Sequence, residues 1–365
     1  MQLEFFPSRT LTVYLARLFI TRILAVLVML VLVLQLLDLL GESGDILAYP
    51  GNGQGELLTY VGLRAPQLIA RFLPYSVLLA TIITLVTLNQ NSEVIAMKAA
   101  GLSAHQVLAP LILTALIVSL ASLAFNERVV TRASATLDAW SAVDYGPIPK
   151  SSGVRNNVYL RDGSNILLAA TITGEGDAMV MDGVTWYHRD GEGMIVEQVR
   201  SARATYAKPG WRLESPVRFD VNNTATQRLG AMVVARELGP QEVALSRVDA
   251  DSQNIFELAD SIAAMKAAGR RTSELEGAWW HKLSGPFSAV LMPLLGAVAA
   301  FGLARSGALL IRAVIGMALG FAYFVVDNAA LAMGNFGGYP PLVAAWAPFL
   351  LFAMIGESVL VRTEE

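Results

Sequence analysis

The residues of this sequence that could do chemistry are a few polar and ionisable side chains inside or at the ends of long apolar runs. Asp327 lies within one such run, next to Asn328, and Asp38 ends another, three residues after Gln35. An ionisable group inside a membrane is costly unless it faces water or a partner, so each is a candidate for a cavity or a gate. Two interpretations of Asp327 are equally open: a polar group acting at a cavity mouth, or a residue hydrated at a helix end.

The composition excludes most enzymatic chemistry. The chain has no cysteine, so it has no disulfide, no thiolate nucleophile and no cysteine-ligated metal. Its three histidines, His105, His188 and His281, lie far apart, and there is no phosphate-binding glycine loop and no H-E-x-x-H or G-x-S-x-G motif. A net charge of −3 gives no basic face for nucleic acid. We therefore predict a chain with no catalytic residue, no metal and no bound cofactor, which does not hydrolyse ATP itself.

The polar segment from Asn91 to Ser103 is the most informative part of the sequence. Ser92 is placed to cap a helix, Glu93 lies favourably in its first turn, and Gly101 is placed to end it. A short helix at a membrane surface is what a membrane subunit needs to dock into a groove of another protein. A well-capped surface hairpin without a partner is an equally acceptable interpretation of these residues.

The elements that position these residues are membrane spans. The chain is 54% hydrophobic and 16% charged, and 36 of its 57 charged residues lie between 126 and 275. We predict three spans in 1–125, a water-soluble insert in 126–275 and three spans in 276–365. The windows of about 20 apolar residues are Leu11–Leu40, Leu68–Leu88, Gln106–Phe125, Leu283–Leu303, Ser306–Met333 and Phe336–Leu360.

The distribution of lysine and arginine predicts the orientation of these spans. With both termini inside, seven basic residues flank the inner ends of the spans and three flank the outer ends. Basic residues are enriched on the cytoplasmic side of membrane proteins. The N- and C-termini are therefore predicted to be cytoplasmic and the insert to lie outside.

The insert has the pattern of an all-β domain followed by a helix. From Val154 to about Val243, short β-branched and aromatic runs are separated by turns such as Asp162-Gly163 and Pro209-Gly210. Strands at this spacing favour a sandwich or jelly roll. Ser252 to Gly269 then predicts an amphipathic helix capped by Ser252 and ended by Gly269.

The segment Glu93-x-x-x-Met97-x-Ala99-x-Gly101, between spans two and three, resembles the coupling segment of the lipopolysaccharide export permeases, the LptF/LptG family. The chain is similar to the LptG half of that pair more than to the LptF half. The resemblance covers the whole chain, and its order and spacing are more specific than any single piece. The other pieces are Phe72-Leu-Pro74, Arg200-x-x-x-Ala204-x-Tyr206-x-x-Pro209-x-Trp211-Arg-Leu213, Trp280-His-Lys282, Pro286, Arg312-x-x-x-Gly316-x-x-x-Gly320-Phe321 and Val326-Asp327-Asn328.

The resemblance implies a subunit of an ABC-type exporter in the inner membrane of a Gram-negative bacterium. Such an exporter contains LptF, LptG and two copies of the ATPase LptB, which uses ATP and Mg²⁺. It extracts lipopolysaccharide and passes it to a periplasmic bridge of jelly-roll domains that begins with LptC and LptA. The resemblance assigns coupling to the ATPase to Ser92, Glu93, Met97, Ala99 and Gly101.

The resemblance also implies residues that meet the substrate. Asp38 matches an aspartate of the family, but Gln35 stands where the family usually places a lysine that meets an anionic lipid group. Either the head group is less anionic here, or Arg64, Arg71 and the partner permease supply the positive charge. Asp327 completes these cavity or gate candidates.

Other interpretations stay open. Gly316 and Gly320 form a G-x-x-x-G pair that permits close helix approach, and ordinary packing explains the pair better than a dedicated dimer motif. The chain could be the LptF-type half of the pair. It could also be a membrane sensor or enzyme with a ligand-binding periplasmic domain.

Overall fold

The computed structural model describes residues 6–141, 143–148, 155–174, 176–221, 223, 225–244, 249–267, 269–297 and 308–364. The chain divides into two compact units. A helical unit comprises Met1–Leu40, Arg64–Thr131 and Asn254–Glu365, and a β unit comprises Gly41–Leu63 and Arg132–Gln253. The predicted insert of 126–275 is therefore wider at both ends than the β unit, which also takes up a segment from between the first two spans.

Ten α-helices are found in the described ranges, and three of them are longer than 25 residues. Their bounds are α1 Arg9–Ala48, α2 Gln54–Gln90, α3 Glu93–Ala99, α4 Ala104–Phe125, α5 Thr131–Ser141, α6 Pro240–Ala244, α7 Ile255–Ala267, α8 Ser273–Gly296, α9 Ala308–Asn335 and α10 Pro341–Glu364. A π-helical turn, Asn126–Val130, joins α4 to α5.

Five helical stretches in the described part of the chain are long and apolar enough to cross a membrane: Arg9–Ala48, Gln54–Gln90, Ala104–Ser141, Ala313–Asn335 and Pro341–Arg362. The fourth predicted span, Leu283–Leu303, begins within α8, and its part beyond Ala297 lies outside the described residues. The predicted fold class, membrane helices with an inserted β domain, is confirmed.

The helical unit is held together by a core of aliphatic and aromatic side chains. Phe19 of α1, Leu85 of α2, Leu108 of α4, Met292 of α8 and Tyr323 of α9 belong to one buried cluster. Contacts of this kind take the place of the hydrophobic effect between helices in a membrane, because lipid tails are as apolar as the side chains.

The β unit is built on one antiparallel sheet. Its strands are β1 Arg155–Asp162, β2 Asn165–Thr173, β3 Val180–Arg189, β4 Ile195–Ala207, β5 Gly210–Glu214, β6 Val217–Asp220, β7 Ala225–Arg228 and β8 Met232–Val234. The order is β1-β2-β3-β4-β5-β8, with β6 paired to the first part of β4 and β7 paired to β6. The strands pair with chain neighbours except where β6 joins β4 and β8 returns to β5.

The core of the β unit follows the two-residue period of its strands. Leu167, Ala169 and Met181 are fully buried, and Asp182, beside Met181, is exposed. Trp211 is also fully buried, and its indole Nε1 donates to the carbonyl of Leu238 at 2.9 Å. A buried tryptophan needs such an acceptor, so this bond fixes the segment after β8 against the sheet.

The segment Gly41–Leu63 belongs to the β unit because aromatic side chains near the end of α5 pack against it. The amide of Asn52 donates to the carbonyls of Ile46 and Tyr145, both at 2.8 Å. The Tyr145 hydroxyl donates to Glu42 Oε2 at 2.7 Å, and its ring meets Tyr60 edge-on. These contacts explain why the unit boundary differs from the one the charge pattern predicts.

Ile255, just after residues 132–253, makes hydrogen bonds with the chain that precedes this segment and with α8. The Ile255 N–H donates to Glu127 Oε2 at 2.7 Å, and the Ile255 carbonyl accepts from Trp279 Nε1 at 3.0 Å. Glu127 lies in the π-helical turn before α5, and Ile255 is the first residue of α7. The chain on both sides of residues 132–253 is therefore joined by hydrogen bonds within the helical unit.

The predicted amphipathic helix is present as α7, but its cap is different. Asn254 Oδ1 accepts from the N–H groups of Phe256 and Glu257, and Glu257 Oε2 accepts from the Asn254 N–H. This is a capping box with asparagine as the cap. The Ser252 hydroxyl instead donates to the carbonyl of Asp249, so the prediction of a Ser252 cap is wrong.

Candidate functional site

The short helix α3 ends in a glycine-dependent cap. The Gly101 N–H donates to the Lys98 carbonyl and the Leu102 N–H donates to the Met97 carbonyl, both near 3.0 Å. These two bonds form a Schellman motif, which requires a left-handed residue at the position of Gly101. Gly101 has φ of +88°, and the space around its Cα is open. Its conformation, and not crowding, therefore explains the glycine.

The start of α3 differs from the prediction. Ser92 has φ of 58°, in the left-handed region, and its side chain makes no capping hydrogen bond. The segment 90–92 is a tight turn, in which the Ser92 N–H donates to the Asn89 carbonyl. Ser92 therefore reverses the chain direction before α3 instead of capping the helix.

The two faces of α3 have different roles. Val94 and Met97 are buried in the core of the helical unit. Ile95 is 53% exposed, and Ala96, Lys98 and Ala99 are exposed with it. Burial of Met97 means that it anchors α3 to the bundle, whereas the small exposed residues and Ile95 form a surface that another protein can reach.

The carboxylate of Glu93 is held by two donors from the same unit. Tyr14 Oη of α1 donates to Glu93 Oε2 at 3.0 Å, and Asn91 Nδ2 donates to Oε1 at 3.3 Å. Glu93 is the first residue of α3, where a negative charge is favourable. The contact with Tyr14 spans 79 residues of sequence and was not predicted, since no local spacing reports it.

A second polar group joins α1 to α2. The Arg64 guanidinium donates from Nε and Nη2 to the Asp38 carboxylate at 2.9–3.2 Å, and from Nη1 to Gln67 Oε1 at 2.6 Å. Two of the predicted cavity residues therefore form an ion pair with each other, and the charge of Arg64 is compensated by Asp38. Arg71 lies two turns further along α2, with an exposed side chain.

Gln35 is buried, with 7% of its surface exposed, and neither its Oε1 nor its Nε2 has a hydrogen-bond partner among the described residues. It lies one turn before Asp38 on α1. A buried amide without partners is unfavourable by about 1–3 kcal/mol. An aliphatic side chain at this position would avoid that cost. The contacts within this chain therefore do not explain why an amide stands here.

Asp327 is buried in the helical unit and contacts α8. Its side chain is 8% exposed, and its Oδ2 lies 3.1 Å from His281 Nε2. Its Oδ1 is buried and has no partner within the described residues. Phe324, one turn earlier on α9, stacks on Tyr75 of α2 with ring centroids 3.9 Å apart. Asp327 is therefore an interior group, and hydration at a helix end does not describe it.

The partner of Asp327 was missed in the sequence. In the sequence His281 stands beside Trp279, Trp280 and Lys282, a neighbourhood that fits interfacial anchoring or contact with lipid phosphate equally well and does not point to Asp327. The spacing of 46 residues between His281 and Asp327 carries no local signal. The available hint was chemical: a carboxylate inside an apolar helix needs a donor, and His281 is the histidine in the same group of spans.

Gly316 and Gly320 are both buried on α9. A Cβ on Gly320 would lie 2.4 Å from Leu78 Cδ2 of α2, so the glycine allows close packing of these two helices. Because Leu78 belongs to the same chain, Gly320 serves the packing of two helices within this subunit.

The β unit has a cleft of about 430 Å³ at one end of its sheet. Its lining includes Asp162, Asn165, Trp186, Arg236 and Glu237. Asp162 is buried and accepts from the Glu237 N–H, and Trp186 Nε1 is buried without a partner in the described part of the unit. Acyl chains placed here would desolvate carboxyl groups, so the cleft does not suit them.

The described residues contain no group of three or more His, Asp or Glu side chains that could hold a metal ion. The interior ionisable groups are instead arranged in pairs, Asp38 with Arg64 and Asp327 with His281. Each pair joins a carboxylate to a basic side chain, an arrangement that can bind a charged group or rearrange when the helices move.

Comparison with known proteins gives consistent results. A sequence profile described as "Lipopolysaccharide export system permease LptF/LptG" matches residues 13–362. The lipopolysaccharide export system permease protein LptG of Escherichia coli K12 is 26% identical over 367 residues, covering 98% of this chain and 99% of that protein. The LptG of Haemophilus influenzae is 24% identical over 316 residues, covering 85% of this chain and 87% of that protein.

Proposed function

The chain belongs to the LptF/LptG family of lipopolysaccharide export permeases, and we propose that it is the LptG-type subunit of an ABC exporter that extracts lipopolysaccharide from the inner membrane. In this proposal it pairs with an LptF-like permease and two LptB-like ATPase subunits. The complex delivers its substrate to a periplasmic bridge that begins with LptC and LptA. Both termini are cytoplasmic, and the β unit lies in the periplasm.

The observation that carries this proposal is the geometry of α3. The helix buries Val94 and Met97 in the bundle and exposes Ile95 and Ala99, beside a glutamate at its first position. A short helix anchored on one face and exposed on the other suits docking into a groove. The sequence has no phosphate-binding glycine loop, so a separate ATPase would supply the energy.

An external energy source is needed because of the substrate. Each CH₂ group of an acyl chain gains about 0.8 kcal/mol in an apolar environment, so several acyl chains are held strongly in the bilayer. In the proposed cycle, closure of the ATPase pushes α3 and narrows a cavity beside α1, α2 and α9. An ion pair beside this cavity, such as Asp38 with Arg64, would exchange partners as the cavity narrows and would take no part in covalent chemistry.

The exposed apolar surface of α1 favours pairing with a second permease. Leu36, Leu37 and Leu40 are more than 60% exposed, and only 22% of the most apolar part of α1 is buried. An apolar face of this kind meets either lipid or another membrane helix. Pairing with an LptF-like subunit would cover it and would enclose a cavity between the two chains.

The first test is co-purification. The tagged chain is expressed with its candidate ATPase and LptF-like permease, and ATP hydrolysis is measured with and without lipopolysaccharide. We expect a stable complex whose hydrolysis rate responds to the substrate. Purification of the chain without an ATPase would contradict the proposal.

The role of α3 is tested by Glu93→Lys. Charge reversal at the first position of α3 opposes the helix dipole and removes the acceptor for Tyr14. We expect lipopolysaccharide release per ATP hydrolysed to fall by about tenfold or more, which corresponds to about 1.4 kcal/mol. Glu192→Lys, on an exposed turn of the β unit, is the matched control and should leave release unchanged. Normal release by the Glu93→Lys complex would exclude the coupling role.

A further inference from the structure

Helix α1 is an uninterrupted rod that is loosely packed. It runs for 40 residues without an internal proline, whereas α2 contains Pro66 and Pro74. Only 22% of the most apolar stretch of α1 is buried, compared with 50% for α2. A helix without an internal proline and with few packing contacts inside its own chain is free to shift relative to its neighbours in that chain, so its polar contacts with them influence how it moves.

In the described part of the chain, polar contacts tie α1 to neighbouring helices at several points along its length. Near one end, Tyr14 donates to Glu93 of α3. Two turns later Arg22 Nη1 donates to the carbonyl of Ile83 in α2 at 3.0 Å. At the other end Asp38 pairs with Arg64 of α2. Tyr14 makes the contact with α3, and the other two are contacts with α2.

The contact of Tyr14 is placed to transmit displacement along α1. Tyr14 and Asp38 are 24 residues apart in one helix, which corresponds to roughly 36 Å. That length is about the thickness of the hydrocarbon core. A force applied to α3 at Glu93 therefore has a direct route to α1 through Tyr14, in addition to any route through the buried core.

We propose that Tyr14 is a positioning residue that ties the carboxylate of Glu93 to α1, so that movement of α3 displaces α1 directly and reaches Gln35 and Asp38 at its other end. This inference rests on the proposed function, in which a partner ATPase moves α3. The hydroxyl is the essential group, because it is the donor in the bond between the two helices.

The substitution Tyr14→Phe tests the inference, because it keeps the ring and removes the donor. The complex with the ATPase and the second permease is reconstituted in vesicles, and the lipopolysaccharide released per ATP hydrolysed is measured. We expect this ratio to fall roughly three- to tenfold, the range that corresponds to losing one solvent-exposed hydrogen bond of about 0.7–1.4 kcal/mol. Tyr159→Phe, at a 70% exposed tyrosine of the β unit, is the matched control and should leave the ratio unchanged.

A second measurement separates transmission from stability. The chain has no cysteine, so, with cysteine-free partner subunits, spin labels can be placed at Asp45→Cys on α1 and Leu342→Cys on α10, both exposed and the first away from the leucine face of α1. Trapping the ATPase with vanadate should change the distance between the labels in the otherwise unaltered chain. With Tyr14→Phe added, we expect most of that change to be lost.

The possible outcomes distinguish the inference from the function it rests on. If Tyr14→Phe keeps both the normal release ratio and the full change in label distance, Tyr14 does not position α1. If the unaltered complex itself neither hydrolyses ATP nor releases lipopolysaccharide, the proposed function fails instead. A lower yield of folded protein with a normal ratio would assign the hydroxyl to stability alone and would also overturn the inference.

Discussion

At the scale of single residues, the contact between His281 and Asp327 joins a partly exposed side chain to a buried one. The His281 side chain is 37% exposed, whereas that of Asp327 is 8% exposed. The loss of folding stability on removing one side chain of this pair depends on whether the side chain that remains is buried. An unpaired buried carboxylate is much less favourable than an unpaired, partly hydrated imidazole.

We therefore expect His281→Ala to destabilise the protein more than Asp327→Ala. Loss of His281 leaves both oxygens of Asp327 without a partner, with an expected cost of about 3 kcal/mol, whereas loss of Asp327 costs about 1 kcal/mol. Thermal unfolding in detergent measures both. The double substitution is the control and should resemble Asp327→Ala, because no buried carboxylate remains. Equal effects of the two single substitutions would contradict the asymmetry.

At the scale of elements, the ends of helices combine local sequence with longer contacts. Gly101 ends α3 as its sequence predicts, because a glycine in the left-handed region is a local requirement. Asn254 and Ser252 are both acceptable caps for α7, and the start of the helix at Ile255 coincides with a hydrogen bond from the Ile255 N–H to Glu127. Local propensity therefore predicts that a helix ends, and it does not by itself select the residue at which the helix begins.

The cap of α3 gives a prediction about Gly101. Gly101→Ala should destabilise α3 by about 1 kcal/mol, because alanine is strained at φ of +88° although its Cβ meets no atom. Hydrogen exchange of the Gly101 and Leu102 amides, which form the cap, should then accelerate by about fivefold. Gly101→Asn is the matched control, because asparagine tolerates the left-handed region, and its exchange should be closer to that of glycine. Unchanged exchange in the alanine variant would refute the proposed role of the cap.

The junction of α7 and α8 gives a prediction about pH. Burial alone would raise the pKa of Glu276, but hydrogen bonds from Thr272 and Lys266 and the charge of Lys266, 2.9 Å away, lower it overall. A carboxyl whose pKa is lowered on folding contributes stability at neutral pH, and this contribution is lost as the pH falls through the lowered value.

We expect Glu276→Gln to lower the melting temperature at pH 7 and to have progressively less effect as the pH falls below the ordinary carboxyl range. Glu274→Gln is the matched control, because Glu274 lies two residues earlier in the first turn of the same helix. A destabilisation by Glu276→Gln that stays constant down to acidic pH would show that the charge of Glu276 is not the source of its effect.

At the scale of the whole molecule, the sequence predicts the architecture well and the pairings poorly. Hydropathy, turn spacing and charge distribution predict the helices, the β domain and its place between them, because each is a property of consecutive residues. The pairs Tyr14–Glu93, Asp38–Arg64 and His281–Asp327 join residues 26 to 79 positions apart. Such pairs depend on how helices pack, and no local pattern encodes them.

The boundary of the β unit gives a prediction at this scale. A fragment of residues 132–253 should keep its sheet, but its helix α5 should be poorly protected, because Tyr145 loses Glu42, Asn52 and Tyr60. Limited proteolysis should cut within 132–146 first. A fragment in which 41–63 is linked to 132–253 should resist this cleavage. Equal resistance of both fragments would show that 41–63 adds nothing to the unit.

The hydrogen bond between Glu127 and Ile255 bears on how the β unit is attached to the chain. Because the bond joins the chain just before residues 132–253 to the chain just after them, the helical unit holds both attachment points together by its own contacts. Domain insertion is tolerated best where the two ends lie close together. A different domain could therefore be inserted between these two attachment points, provided that it also covers the segment 41–63, which the present β unit packs against.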